Sequence, residues 1–213
     1  MELTRDPWSS ENIVFKDPVI FVLTGDGNLE YDAISGFSQI FNNRKGSLLF
    51  PKRPGQTKRS GFSAVNAIKT LTSQYHYKKY LLLFDREWCQ VEDPCQEIMD
   101  QIATFSYNIL SFDCKLYCGN IGAHMEIEWG SHRVTLDLCI FGKTRRIEEN
   151  YIDLIERQYG DKIGPEKKDL RNYLANKHIK PHELISKANH ANTQGAFPFL
   201  YEIFESYPSF NNL

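Results

Sequence analysis

YLLLFDRE, residues 80–87, decides the fold of this chain. Its five leading residues are all apolar, which is the length of a strand rather than of a buried helix, and charged residues flank them on both sides. Continuous apolar runs of this kind are typical of strands covered on both faces, as in the middle of a parallel sheet. The run ends at Asp85 and Glu87, and ligands of open α/β sheets bind at the carboxyl ends of strands.

Asp85 and Glu87 are spaced i, i+2 just beyond this predicted strand. Two carboxylates at that spacing can point the same way and share one hard cation. The alternative interpretation is a pair of solvated loop acids, because most Asp and Glu side chains in proteins are exposed. These residues alone leave both interpretations open.

An earlier apolar run, residues 18–24, predicts another strand, which leads directly into Gly25-Asp26-Gly27-Asn28. Apolar residues then recur every three or four positions over residues 29–41, which predicts a helix. The glycines allow a tight turn, but they complete neither a dinucleotide-binding motif nor a Walker loop. Asp26 and Glu30 are candidate site carboxylates, although acids here also favour the helix N-terminus through its dipole.

Residues 47–51 predict a short strand, and residues 63–72 predict a helix that leads to the strand at Tyr80. The alternation of strands and helices predicts right-handed crossovers and a largely parallel sheet. Between these two elements lies a basic loop that contains Lys52, Arg53, Lys58 and Arg59. Such loops are usually just solvated, but cations beside an acidic site would suit a phosphodiester substrate.

The second half of the chain begins with a predicted helix from Pro94 to about Leu110 and a strand over residues 114–118. Two alternating runs joined by Gly130-Ser131 predict a β-hairpin. Its alternation places Glu126 and Glu128 on one face, where a polar exterior is the commoner interpretation and metal ligands are the alternative.

From residue 146 onward the pattern is helical. We therefore predict an α/β fold: a Rossmann-like, mostly parallel sheet flanked by helices, with a β-hairpin and a helical C-terminal segment. Residues 1–142 would form the sheet domain, and residues 143–213 would pack as helices on the same core.

Composition limits the compartment and the partners. The 213 residues carry a formal net charge of −2, so only a local basic stripe favours a nucleic-acid partner. The five cysteines are an odd number without zinc-site spacing, which predicts reduced thiols in a cytoplasmic protein. We expect no membrane association, because there is neither a signal-peptide core nor an apolar segment of about 18 residues.

The arrangement resembles a small stand-alone TOPRIM protein, related to the TOPRIM domains of OLD-family nucleases and primases. In that family a first strand ends in Glu-Gly and a later strand ends in Asp-x-Asp. The corresponding residues here are 24–26, Thr-Gly-Asp, and 85–87, Asp-Arg-Glu. Residues 146–152, the pair Lys167-Lys168 and residues 196–200 also resemble small members of the family.

The resemblance implies metal-dependent phosphodiester processing of DNA or RNA, as in a nuclease. Asp26, Asp85 and Glu87 would hold Mg2+ or Mn2+, with Glu30 as a further catalytic carboxylate, and the cations of the basic loop would contact nucleic acid. Thr24 stands where the family has a glutamate. That difference favours the alternative of a catalytically degenerate TOPRIM-like binding or interaction module. The oligomeric state is left open.

A third interpretation is a nucleotide- or phosphate-binding protein that uses the turn at residues 25–27 and the following helix N-terminus. The acids in that turn would repel an anion unless a cation intervenes, so this interpretation is the weakest of the three.

Overall fold

A mixed β-sheet organises the molecule. The structure is a computed structural model, and it describes residues 1–4, 18–23, 27–50, 61–89 and 91–209. The strands in these residues are β1 Glu2–Thr4, β2 Val19–Leu23, β3 Ser47–Leu49, β4 Lys79–Asp85, β5 Asn108–Tyr117, β6 Asn120–Trp129 and β7 His132–Phe141. They lie in the order β1-β3-β2-β4-β7-β6-β5.

Helices cover both faces of the sheet. The described α-helices are α1 Asn28–Ile40, α2 Asn66–Tyr75, α3 Pro94–Thr104, α4 Glu148–Tyr159, α5 Lys167–Lys177, α6 Pro181–Lys187, α7 His190–Ala196 and α8 Pro198–Ser206. Short 3-10 helices precede α2, at Gly61–Val65, and follow β4, at Arg86–Trp88. Within the described ranges, no helix is both long enough and apolar enough to cross a membrane.

The parallel part of the sheet contains β1, β3, β2, β4 and β7, and the antiparallel part is formed by β5 and β6 with β7. The predicted α/β class, the mostly parallel sheet, the hairpin and the helical C-terminal segment are confirmed. Strands β2 and β4 are direct neighbours, with Phe21 opposite Tyr80. The carboxyl ends of these two strands therefore lie at the same edge of the sheet.

Two cores explain why residues 80–84 are apolar without interruption. Leu81 and Leu83 pack into the core under α1 and α4 to α8, and Tyr80 and Leu82 pack into the core under α2 and α3. Successive strand residues face opposite sides, so a strand between two cores has no side left for polar residues.

The helix predicted from Pro94 to Leu110 is shorter than expected. Helix α3 ends at Thr104, where Ser106 adopts a left-handed backbone with φ of 59°, and β5 begins at Asn108. The start of α3 is well defined, because the Asp93 carboxylate accepts hydrogen bonds from the backbone N–H groups of Cys95 and Gln96. The apolar spacing predicted too long a helix, because Ile109 faces the same core as α3 but does so from a strand.

Cys95 and Cys114 form a disulfide that joins the first turn of α3 to β5. The prediction that all five thiols are reduced is therefore wrong for this pair, and Cys89, Cys118 and Cys139 are free. Disulfides are rare in cytosolic proteins, so this bond gives no support to the predicted cytoplasmic location.

Candidate functional site

A cavity of about 450 Å³ opens at the carboxyl end of β4, beside the first turn of α1. Its charged lining residues are Glu30, Asp85, Glu148, Lys167 and Arg171. These side chains come from β4 and from the helices α1, α4 and α5, so the fold brings together residues that are far apart in the chain. The position is the one where open α/β sheets bind ligands.

Asp85, the last residue of β4, is partly buried in this cavity. Its Oδ1 accepts a hydrogen bond of 2.8 Å from the backbone N–H of Ile147. Burial raises the pKa of Asp85 to about 6, and the negative charges of Glu148 and Glu87 add to this effect. The Ile147 hydrogen bond and the positive charge of Arg146 act in the opposite direction on the same pKa. The surroundings therefore disfavour an anion here, and a bound cation would relieve that cost.

Glu148 begins α4 and is only 4% exposed. Its Oε1 lies 3.2 Å from Nζ of Lys167 on α5. The lysine side chain is half-exposed, so its ammonium group neutralises a buried carboxylate while it still reaches solvent at the cavity. A buried carboxylate with one cationic partner is a usual arrangement, because an unpaired charge would be costly to bury.

Glu30 is buried in the first turn of α1 and folds back against Gly27. A β-carbon at position 27 would overlap the Glu30 carboxylate, so the glycine makes room for it. Nearby, the Tyr151 hydroxyl donates a hydrogen bond of 2.9 Å to the carbonyl of Leu29. This bond joins α4 to the start of α1 and so fixes Glu148 relative to Glu30.

Glu87 has a different environment from Asp85. It is exposed, and its Oε2 lies 3.0 Å from Nε of Arg146. It is not among the residues that line the cavity. The two acids diverge because the extended backbone stops at Asp85 and the 3-10 turn Arg86–Trp88 follows, so the i, i+2 spacing no longer aims both side chains the same way.

The remaining predicted site residues lie outside the described part of the chain: Asp26, Lys52, Arg53, Lys58 and Arg59. Within the described ranges, no group of three or more His, Cys, Asp or Glu side chains is placed to hold a metal ion. The structure thus brings Glu30 and Asp85 to one cavity without a preassembled metal centre among those residues.

The hairpin glutamates have partners of their own. Glu126 pairs with Arg133, and Glu128 accepts a hydrogen bond of 2.7 Å from the side-chain amide of Asn108. These contacts favour the interpretation of a polar exterior over that of metal ligands.

Sequence reasoning missed Glu148, Lys167 and Arg171 as cavity residues. Glu148 did carry a signal, because it precedes Tyr151 by three positions and Ile155 by seven. It therefore lies on the buried stripe of α4, where a charged residue is unusual. Lys167 belongs to a lysine pair that contributes to the TOPRIM resemblance, but no pattern in the sequence places Lys167 or Arg171 at the cavity, because both lie in a highly charged helix.

No protein-family model, curated protein or solved structure matches the chain. The TOPRIM resemblance therefore stays a prediction from the residues quoted for it.

Proposed function

We propose that this cavity binds Mg2+ or Mn2+ together with a phosphodiester, and that the protein is a metal-dependent, TOPRIM-like enzyme that cleaves DNA or RNA. The observation that carries the proposal is the convergence of Glu30, Asp85 and Glu148 on one cavity, beside Lys167 and Arg171, at the carboxyl end of β4. Carboxylate oxygens suit a hard divalent cation, and Lys and Arg suit phosphate oxygens.

The roles follow from the surroundings of each group. Asp85 would be the principal cation ligand, because burial raises its pKa and so disfavours its ionised form, which a bound cation would stabilise. Lys167 could exchange its contact with Glu148 for a substrate phosphate, which would leave Glu148 available to the cation. When bound, the cation would activate water and stabilise negative charge on the phosphodiester. Asp26 and the basic loop stay in the proposal as a further ligand and as backbone contacts.

Asp85→Asn tests the enzyme hypothesis with little change of shape, since the amide oxygen can still accept the hydrogen bond from Ile147. We expect it to weaken Mn2+ binding by about tenfold or more, measured by isothermal titration calorimetry. Cleavage of labelled single- and double-stranded DNA and RNA in Mn2+ should be lost as well. Glu126→Gln, which neutralises a paired acid on the hairpin, is the matched control and should behave as wild type.

The enzyme proposal fails if wild type and Asp85→Asn bind Mn2+ equally or cleave equally. It also fails if the wild-type protein, shown to be folded, cleaves none of these substrates.

A binding module without catalysis is the second candidate. It is favoured by the partners that Asp85, Glu87 and Glu148 already have within the protein, and by the lack of a three-ligand group among the described residues. Thermal unfolding separates the two, because a cation that binds only the folded state raises the melting temperature. A rise with Mn2+ together with cleavage supports the enzyme. Nucleic-acid binding without cleavage, and without a rise of the melting temperature in Mn2+, supports the binding module.

A further inference from the structure

Strand β5 is an edge strand. It pairs with β6 along its length, and no other described strand lies on its outer side. Most of its side chains are exposed, among them the large apolar residues Leu110, Leu116 and Tyr117. An edge of this length presents a row of backbone N–H and C=O groups, which is a template for pairing with another strand.

The regular part of this edge is self-complementary in charge. The pairing of β5 with β6 shifts register between Ile109 and Ser111 and is regular from residue 111 to residue 117. That segment is centred on Cys114, and Asp113 and Lys115 lie on either side of the centre. If a second β5 runs antiparallel about a two-fold axis through Cys114, each Asp113 faces a Lys115 of the other copy.

The two adjacent symmetric registers are less favourable. A two-fold axis at Asp113 would place two aspartates opposite each other, and an axis at Lys115 would oppose two lysines. Directly opposed side chains have β-carbons about 4.5–5.5 Å apart, so like charges repel and opposite charges attract. In the register centred on Cys114, Leu116 also lies opposite Phe112, which adds an apolar pair on the α3 side of the sheet.

We propose that the protein forms a two-fold symmetric dimer in which the β5 edges of two copies pair antiparallel about Cys114 and join the two sheets into one. Such an interface is isologous, so one self-complementary surface suffices. The β5 edge is separated from β4 by β7 and β6, so the dimer is independent of the cavity chemistry.

The contacts that Asp113 and Lys115 make within one chain are compatible with the dimer. Nζ of Lys115 lies 2.6 Å from Glu202 and 3.8 Å from Asp113 of the same chain, and all three side chains are at least half-exposed. Exposed pairs of this kind contribute little to stability, so exchanging partners costs little. The disulfide from Cys114 to Cys95 attaches the centre of the edge to α3, which limits the freedom that pairing would remove.

A charge-swap experiment tests both the dimer and its register. Sedimentation velocity over a range of concentrations should show a monomer–dimer equilibrium for the wild type. Asp113→Lys and Lys115→Asp should each raise the dissociation constant by about tenfold or more, because each opposes like charges twice. Mixing the two variants should restore the dimer, since both opposed pairs are then of opposite charge.

Lys162→Asp makes the same charge change at an exposed position away from β5 and should leave the equilibrium unchanged. Circular dichroism checks that every variant is folded. Asp113→Asn removes one charge without reversing it and should raise the dissociation constant by a smaller factor. A wild type that is monomeric at every concentration overturns the proposal. So does a dimer that ignores both charge reversals, or a mixture that stays monomeric.

Discussion

Strands β4 and β5 differ in which residues they expose. In β4, the middle strand of the described sheet, Tyr80 to Phe84 are all buried, whereas in β5, at the antiparallel edge, exposed residues predominate. Strand β4 lies between two cores and can offer polar groups only where it ends, which is where Asp85 meets the cavity. Strand β5 offers its charges along its length. A strand covered on both faces can therefore carry functional polar groups only at its end. An edge strand can carry them along its whole length, where another strand could pair with it.

The largest expected difference between the two strands is in stability. Leu82→Ala in β4 should lower the free energy of unfolding by about 2–5 kcal/mol, because it leaves a cavity in a fully packed core. Leu116→Ala in β5, where the side chain is 55% exposed in a single chain, should change the free energy of unfolding of the monomer by less than about 0.5 kcal/mol. Urea unfolding followed by circular dichroism measures both. Equal effects would contradict the contrast between a covered strand and an edge strand.

Asn150, on α4, connects the sheet to the C-terminal helices, and we expect its loss to have the next largest effect on stability. Its buried amide accepts a hydrogen bond from the backbone N–H of Gly142, and donates to Asn120 and to the carbonyl of Ala196. Asn150→Ala should destabilise by about 2–4 kcal/mol, since several buried polar groups lose their partner. Asn108→Ala removes an exposed amide that bonds to Glu128 and should cost less than about 1 kcal/mol in the same urea assay. If Asn150→Ala lowers the free energy of unfolding by no more than Asn108→Ala does, Asn150 does not have this structural role.

Asp85→Asn should stabilise the protein at neutral pH, by about 1–2 kcal/mol. The pKa of Asp85 is raised from 3.8 to about 6 in the folded state, so the folded protein binds the proton more tightly than the unfolded chain. The cost of ionising Asp85 is therefore absent below about pH 4, grows as the pH rises, and is complete above about pH 6.

Urea titrations of wild type and Asp85→Asn near pH 4 and pH 7.5 test that sign. The higher free energy of unfolding of Asp85→Asn should appear only at pH 7.5. Added Mn2+ should stabilise the wild type more than the variant. A gain of the same size at both pH values would show that ionisation of Asp85 is not its cause.

Much of the parallel part follows from local sequence. The apolar run before Asp85 is long enough for a strand and too uniform for an exposed one, and the spacing of apolar residues by three and four over residues 29–41 marks α1. The hairpin is equally local, because two alternating runs meet at Gly130-Ser131. These features depend on neighbours in the chain, so the sequence alone predicts them.

The features that were missed depend on contacts between distant segments. Ile109 keeps helical spacing with Ile102 and Phe105, yet it reaches the same core from β5 once the chain has turned at Ser106. The Cys95–Cys114 disulfide requires α3 to lie against β5, which spacing cannot reveal. Glu148 reaches the cavity because α4 begins beside the end of β4, where the backbone N–H of Ile147, the residue before the helix, donates to Asp85.

Anomalous diffraction from crystals soaked in Mn2+ tests the cavity most directly. We predict a manganese peak at the carboxyl end of β4, in contact with Asp85 and bounded by Glu30 and Glu148. A well-diffracting crystal with no peak there, or with its peak at the hairpin glutamates Glu126 and Glu128 instead, would contradict the proposed site.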